Sequence, residues 1–185
     1  MLAYSIHLGN DKNKTKKAKE IAKNNQSNTT SFSNNSIQNL AQLSKANNHN
    51  LRKYDNKTEQ ISVIYGTNNL INDVQNLYLQ EFENARIEYN NKQTREDRKI
   101  QNYFEHISKN SNKDLCCELI IELGDMNFWQ DKPQEYCYKM VQVYKEQLQD
   151  FVTAVPQFKI ANAVIHFDET SPHLHIIGIP IKERI

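Results

Sequence analysis

The chain has 185 residues, of which 38% are hydrophobic and 24% are charged, and its formal net charge at pH 7 is +1. This length is enough for one domain with a proper hydrophobic core, and no stretch approaches the roughly 20 apolar residues that cross a bilayer. The first residues also lack the charged and apolar regions of a signal peptide, so we expect a cytoplasmic protein without membrane insertion.

The N-terminal quarter contains a short apolar stretch followed by a long polar one. Residues 2–8 predict a strand, and the lysine-rich residues 12–23 predict a helical, basic segment. Residues 24–36 are rich in Asn, Ser and Thr, which favours a loop or a mobile segment. A short amphipathic stretch over residues 37–46 then leads to His49.

The central part predicts a strand and the longest helix. Residues 59–65 predict a strand that ends at Gly66, and apolar residues recur at helical spacing from Leu70 to Tyr89. After this helix, four basic residues recur every three to four positions, which predicts one face of a helix that binds phosphate groups. They are Lys92, Arg95, Arg98 and Lys99.

The C-terminal part predicts a strand, a helix and a β-hairpin. Residues 115–123 form the strand and residues 132–151 the helix. The hairpin consists of apolar strands over residues 158–165 and 174–181, joined by a turn over residues 168–172.

Three histidines of this hairpin predict a metal site. His173 and His175 project from the same face of their strand because side chains alternate, and a hairpin can place His166 opposite them. Three imidazoles leave coordination positions open for solvent or substrate, as a catalytic site requires. Imidazole ligands alone suit Mn²⁺, Zn²⁺, Ni²⁺ and Co²⁺.

Three segments of the chain resemble motifs of the Mob/Pre plasmid relaxases, the MobV-type branch of the HUH endonucleases. The hairpin pattern resembles the metal-binding motif of that family and reads His166-x-Asp168-Glu169-x-x-Pro172-His173-x-His175. The segment His49-Asn50-Leu51-Arg52 is similar to the family's His-Asn-x-Arg segment, and residues 89–100 resemble its basic central segment.

The resemblance implies a fold, an activity and partners. The implied fold is α+β, an antiparallel sheet flanked by helices, and residues 1–185 are expected to form one relaxase domain truncated before a helical C-terminal region. The implied activity is a site- and strand-specific nick at a plasmid transfer origin, made in the bacterial cytoplasm with Mn²⁺ or Mg²⁺. The implied partners are plasmid DNA, single-stranded or in a hairpin, and a conjugative coupling protein.

The resemblance also implies catalytic roles. His49 would be the nucleophile and would form a phosphoramidate with the DNA, with Tyr54 as its rival. Arg52 would hold a phosphate oxygen or orient the acid that activates His49. Glu169 would bind the cation, orient a histidine or accept a proton. Asp168 is expected only to bond to local backbone amides of the turn.

Two other functions are weighed against this one. A rolling-circle replication initiator or transposase of the same class would use a tyrosine on a helix near the metal, and the candidates are Tyr136, Tyr138 and Tyr144. A non-catalytic, metal-stabilised DNA-binding module would use the histidines only to clamp the fold. Such a module would need a closed site, whereas three histidines leave it open.

Overall fold

The structure is a computed structural model that describes residues 3–5, 29–54, 58–124 and 126–181. The described part has six strands in the order β1-β2-β4-β6-β5-β3. The bounds of the strands are β1 Ala3–Ser5, β2 Thr29–Ile37, β3 Ile61–Tyr65, β4 Cys116–Glu122, β5 Phe158–His166 and β6 His173–Pro180. Every pair of neighbours among β2 to β6 is antiparallel. At the edge of the sheet, β1 runs parallel to β2.

Helices cover both faces of the sheet, so that two hydrophobic cores form. The helices are α1 Leu40–Asn50, α2 Leu70–Asn91, α3 Tyr103–Ser108, α4 Met126–Trp129, α5 Gln134–Tyr138 and α6 Met140–Ala154. Ile177 of β6 packs with α1, α2 and α3, whereas the neighbouring Ile176 packs with α6 on the opposite face. This alternation follows from the two-residue period of a strand. The predicted α+β fold with an antiparallel sheet and flanking helices is confirmed.

Asparagines begin three of these helices. The side chains of Asn39, Asn69 and Asn102 accept hydrogen bonds from backbone N–H groups in the first turns of α1, α2 and α3. Asparagine is among the best residues for this position because its side chain pairs an N–H group that has no partner within the helix. The longest helix, α2, thus begins after the capping residue Asn69.

Two predictions about the elements were wrong, and two others lie partly or wholly outside the described residues. Residues 29–36 were predicted as a loop but belong to β2, which obtains its backbone hydrogen bonds from β1 and β4 despite its polar sequence. The single helix predicted over residues 132–151 is two helices, α5 and α6, separated at Lys139. The strand predicted over residues 2–8 is described only at Ala3–Ser5, and the lysine-rich stretch lies outside the described residues.

None of the described helices combines the length and the apolar composition needed to cross a membrane.

Gly178 allows β5 and β6 to pack closely. It pairs with Ile160, next to a bulge in β5, and a Cβ atom there would overlap the Lys159 carbonyl oxygen and the Phe158 ring. We expect Gly178→Ala to lower the free energy of unfolding by about 1–3 kcal/mol, because the overlap forces backbone or ring to move. Urea unfolding followed by circular dichroism measures this, with Gln149→Ala on the exposed surface of α6 as the control. Equal midpoints for both variants would contradict the prediction.

Candidate active site

The β5–β6 hairpin brings three buried histidine rings together. His166 ends β5 and lies directly opposite His173, which begins β6, and His175 follows two residues later on the same face. The ring centroid of His166 lies 5.1 Å from that of His173 and 4.3 Å from that of His175, and the His173 and His175 centroids are 4.9 Å apart. The sequence predicted this grouping, and the role of the three rings as metal ligands stays a prediction.

Each of the three rings makes one hydrogen bond to an oxygen atom. His166 Nε2 lies 2.8 Å from the carbonyl oxygen of Asn50, and His173 Nδ1 lies 2.9 Å from that of Ser171. His175 Nδ1 lies 2.8 Å from Glu118 Oε1. Because carbonyl and carboxylate oxygens only accept, each of these ring nitrogens carries the proton. In a neutral imidazole the second nitrogen then holds a lone pair.

The second nitrogens are available to a metal ion. Within the described part of the chain, His166 Nδ1 and His175 Nε2 are buried without a hydrogen-bond partner. His173 Nε2 lies 3.7 Å from Glu169 Oε2. Burial, together with the neighbouring His175, lowers the pKa of both His166 and His173, so these rings stay neutral near pH 7. Buried polar atoms normally have partners, and a neutral ring whose other nitrogen is hydrogen-bonded is the usual form of a metal-binding histidine.

Glu169 extends this donor set toward solvent. Its carboxylate and the rings of His166 and His173 each offer a ligand atom, and these atoms lie within 4.8 Å of one another. The side chain is 45% exposed. Although partial burial opposes the charge, the hydrogen bond from Arg52 and the nearby His173 keep the pKa of Glu169 below its usual range. Glu169 is therefore an anion at neutral pH, able to bind a cation or to take a proton.

Arg52 joins the end of α1 to the hairpin turn. Its Nε and Nη2 donate to the two oxygens of Asp168 at 2.8 and 2.7 Å, and Nη2 also donates to Glu169 at 2.6 Å. Nη1 donates to the carbonyl oxygen of His49 at 2.9 Å. Asp168 was expected to bond only within the turn, and this expectation was wrong, because the carboxylate pairs with a guanidinium 116 residues away. Of the two roles considered for Arg52, the contacts favour orienting the acids over holding a phosphate.

The backbone of Arg52 is left-handed. Helix α1 ends at Asn50, so Arg52 does not lie on a helix face with His49, and its φ is 48°. Arg52 N donates to the His49 carbonyl and Lys53 N to the Asn48 carbonyl, which is the Schellman pattern of a helix end. Glycine is usual at this position because side chains are strained there. The contacts of the guanidinium hold an arginine in a conformation that its backbone disfavours.

His49 faces the three-histidine group from the last turn of α1. Its ring centroid lies 5.5 Å from that of His166 and 5.6 Å from that of His175. Partial burial, with contributions from His175 and Arg52, lowers the pKa of His49 and favours the neutral, nucleophilic ring. Its rival Tyr54 lies four residues beyond the helix and is 68% exposed. The structure therefore places His49, rather than Tyr54, against the histidine rings.

Two residues that support this site were not assigned from the sequence. Glu118 of β4 accepts from His175 and, at 2.9 Å, from the Nδ2 of Asn50, and Asn50 also provides the carbonyl oxygen for His166. No role was predicted for Glu118, and Asn50 was named only as part of the His-Asn-x-Arg segment. No local signal marks Glu118, because its position depends on the register between β4 and β6.

We expect Glu118→Gln to weaken the binding of a divalent metal about tenfold. The substitution removes the charge that supports the basicity of His175, and losing such a partner typically costs 10- to 100-fold in metal affinity. Titration with Mn²⁺ or Zn²⁺ measures the dissociation constant, and Glu146→Gln, an exposed acid on α6, serves as the control. If both variants bound the metal like the wild type, Glu118 would not support the site.

The four predicted DNA-binding residues do not line a helix face. Helix α2 ends at Asn91, and the basic residues continue through a loop and the short 3₁₀ turn Glu96–Arg98. Arg95 pairs with Asp97, and Lys99 with Glu96. The predicted helix face was therefore wrong, whereas DNA contact by Lys92, Arg95, Arg98 and Lys99 stays a prediction.

Comparisons with known proteins agree with the geometry. The sequence model of the family described as "Plasmid recombination enzyme", Mob_Pre, matches residues 37–184. The fold resembles that of the Mn-bound MobM relaxase domain (MOBV; Mob_Pre) in complex with 22 nucleotides of pMV158 oriT DNA, in the crystal structure at pH 4.6. The two sequences are 17% identical, the TM-score is 0.50, and the match covers 83% of this chain and 72% of the MobM chain. For the pH 5.5 structure of the same complex, the identity is 19%, the TM-score 0.49, and the coverage 83% and 71%. A search of curated proteins finds no match.

Proposed function

This chain belongs to the Mob_Pre family of plasmid recombination enzymes, and on that premise we propose that it is a mobilisation relaxase that nicks one DNA strand at a plasmid transfer origin. The observation that carries the proposal is the group of three buried histidines, each with one nitrogen on an oxygen acceptor and one left for a metal, beside the ring of His49. This arrangement combines a cation site with a nucleophile, as phosphodiester transesterification requires.

The comparisons support DNA and a divalent ion as the binding partners. The similar MobM domains are bound to oriT DNA and to Mn. We infer that His166, His173 and His175 hold Mn²⁺ or Mg²⁺, with Glu169 as a further ligand or as a proton acceptor. When bound, the ion would polarise the non-bridging oxygens of the scissile phosphate and offset the charge that develops in the transition state.

The other residues would act on the nucleophile. A neutral His49 nitrogen attacks phosphorus, a P–N bond forms, the bond to the leaving oxygen breaks, and that oxygen takes a proton from solvent. The charge of Glu169 opposes the lowering of the His49 pKa by burial, and an anion that favours the protonated ring is suited to accept the proton that the ring releases. Arg52 keeps Glu169 and Asp168 in place and fixes the carbonyl of His49.

The buried state of one tyrosine weakens the tyrosine-nucleophile alternative. Tyr144 is fully buried, and its hydroxyl donates to the Pro172 carbonyl at 2.6 Å. Burial raises its pKa, which opposes the phenolate form. The non-catalytic module is disfavoured because the candidate ligand sets of the described residues contain only histidines and Glu169, with no cysteine to close the site.

The test is a nicking assay with single-stranded oligonucleotides that tile the plasmid DNA flanking the gene. With Mn²⁺, we expect one oligonucleotide to be cut at one position and a protein–DNA adduct to appear on a denaturing gel. Removing the metal with EDTA should abolish both products, and restoring Mn²⁺ should recover them, because the ion stabilises the transition state. Cleavage that survives EDTA, or that occurs on all sequences alike, would contradict the proposal.

A further inference from the structure

His49, the proposed nucleophile, belongs to a further potential metal-binding set, which shares His166 and His175 with the three-histidine group. His49, His166 and His175 each offer a ring nitrogen, and these three atoms lie within 4.8 Å of one another. The set of His166, Glu169 and His173 meets the same distance criterion. His166 therefore belongs to both of these sets. A cation held by His166 can take its other ligands from either set.

The nitrogens of the set that includes His49 are suited to a metal. The Nε2–H of His166 and the Nδ1–H of His175 each donate to an oxygen atom. The other ring nitrogens, His166 Nδ1 and His175 Nε2, are buried without a hydrogen-bond partner among the described residues and can donate a lone pair to a metal. The two rings meet the His49 ring edge to face, at interplanar angles of 72° and 73°. His49 is exposed, so its side chain has room to turn.

The distances require only a small adjustment. A tetrahedral ion at about 2.0–2.1 Å from each nitrogen places the nitrogens about 3.3 Å apart. Atoms that already lie within 4.8 Å need to close by at most about 1.5 Å, and rotation of the exposed His49 ring can provide this for the two distances that involve His49.

We propose that, before DNA binds, His49 is itself a metal ligand: it joins His166 and His175 of the three-histidine group on the cation, and the scissile phosphate displaces His49 when it arrives. The displacement step rests on the proposed function, whereas the metal site in the free protein does not. A metal-bound His49 has its lone pair committed and cannot attack phosphorus. Release by the phosphate oxygen frees the nucleophile at the moment its substrate reaches the site.

The identity of the ion then sets how firmly His49 is held. Imidazole suits Zn²⁺ and Ni²⁺, whereas oxygen donors suit Mn²⁺ and Mg²⁺. A phosphate oxygen therefore competes well for Mn²⁺ and poorly for Zn²⁺. Zn²⁺ is expected to bind tightly and to keep the nucleophile masked.

The test is a Zn²⁺ titration of the full chain in the absence of DNA. We expect His49→Ala and His49→Gln to bind Zn²⁺ at least about tenfold more weakly than the wild type, since one of three protein ligands is lost. The control is His106→Ala, an exposed histidine that stacks on Tyr103, which should bind Zn²⁺ like the wild type. The glutamine variant and a far-UV spectrum guard against a folding defect.

A chemical readout complements the affinity. Diethylpyrocarbonate labels free imidazole nitrogens, so Zn²⁺ should protect His49 from labelling, as mapped by mass spectrometry, but leave His106 labelled. Unchanged Zn²⁺ affinity in both His49 variants, or labelling of His49 at saturating Zn²⁺, would overturn the proposal. Because neither measurement uses DNA, a failure to nick DNA would contradict the proposed function and leave this result standing.

Discussion

His49→Ala is expected to reduce formation of the protein–DNA adduct by about 10³-fold or more, whereas Tyr54→Phe should retain it within about twofold. Removing a nucleophile leaves only the contribution of binding and of electrostatic stabilisation. The ring of His49 lies against two of the candidate metal ligands, and Tyr54 is 68% exposed beyond the helix end. The measurement is the rate of adduct formation under single-turnover conditions with Mn²⁺ and the oligonucleotide that is cut.

The chemistry of the bond provides an independent control. A phosphoramidate on histidine is acid-labile, whereas a tyrosine phosphodiester survives acid, so the wild-type adduct should disappear on brief acid treatment. Tyr138→Phe extends the control to an exposed tyrosine that packs against Phe167, beside His166. An acid-stable adduct that is lost in a tyrosine variant and kept in His49→Ala would assign the nucleophile to that tyrosine.

The parts of the site that could be predicted from the sequence are those set by local spacing. The positions of His166, His173 and His175 follow from strand alternation and a short turn, and both are visible in ten residues. Helix α2 was equally clear, because its apolar residues recur over 22 residues and Asn69 caps it. Patterns of this kind do not depend on how distant segments pair.

The missed parts depend on contacts between distant segments. Glu118 reaches His175 across 57 residues because β4 and β6 pair in one register, and a shift by one residue would turn its side chain to the other face. Asp168 looked like an ordinary turn residue because its partner, Arg52, lies 116 residues earlier. Strand β2 has no apolar alternation and is a strand because β1 and β4 pair with it.

Arg52 is the residue for which the structure separates stability from activity. Its guanidinium is paired with Asp168 and Glu169, while its backbone occupies a left-handed position that favours glycine. We expect Arg52→Ala to lower the free energy of unfolding by about 2–4 kcal/mol, chiefly because Asp168, whose side chain is 14% exposed, loses its ion pair with the guanidinium. Glu169 contributes little to this loss because it is 45% exposed.

Arg52→Gly should be about 1 kcal/mol more stable than Arg52→Ala, because glycine adopts the left-handed conformation without strain. Both variants lack the guanidinium, so both should form the DNA adduct equally slowly, at least about 100-fold below the wild type. Urea unfolding gives the stabilities, and single-turnover adduct formation gives the rates. Arg52→Lys keeps the charge but not the planar fork, and should fall between the wild type and these variants in both measurements.

The comparison of glycine with alanine decides what Arg52 does. If adduct formation recovered in Arg52→Gly together with stability, Arg52 would act only by ending α1. Asp168 and Glu169 would then not need the guanidinium for catalysis. If the rate stayed low while stability rose, the guanidinium itself would be required to hold Glu169 beside His173 and the carbonyl of His49 in place. The four hydrogen bonds from one arginine to three residues favour the second outcome, because helix termination alone needs none of them.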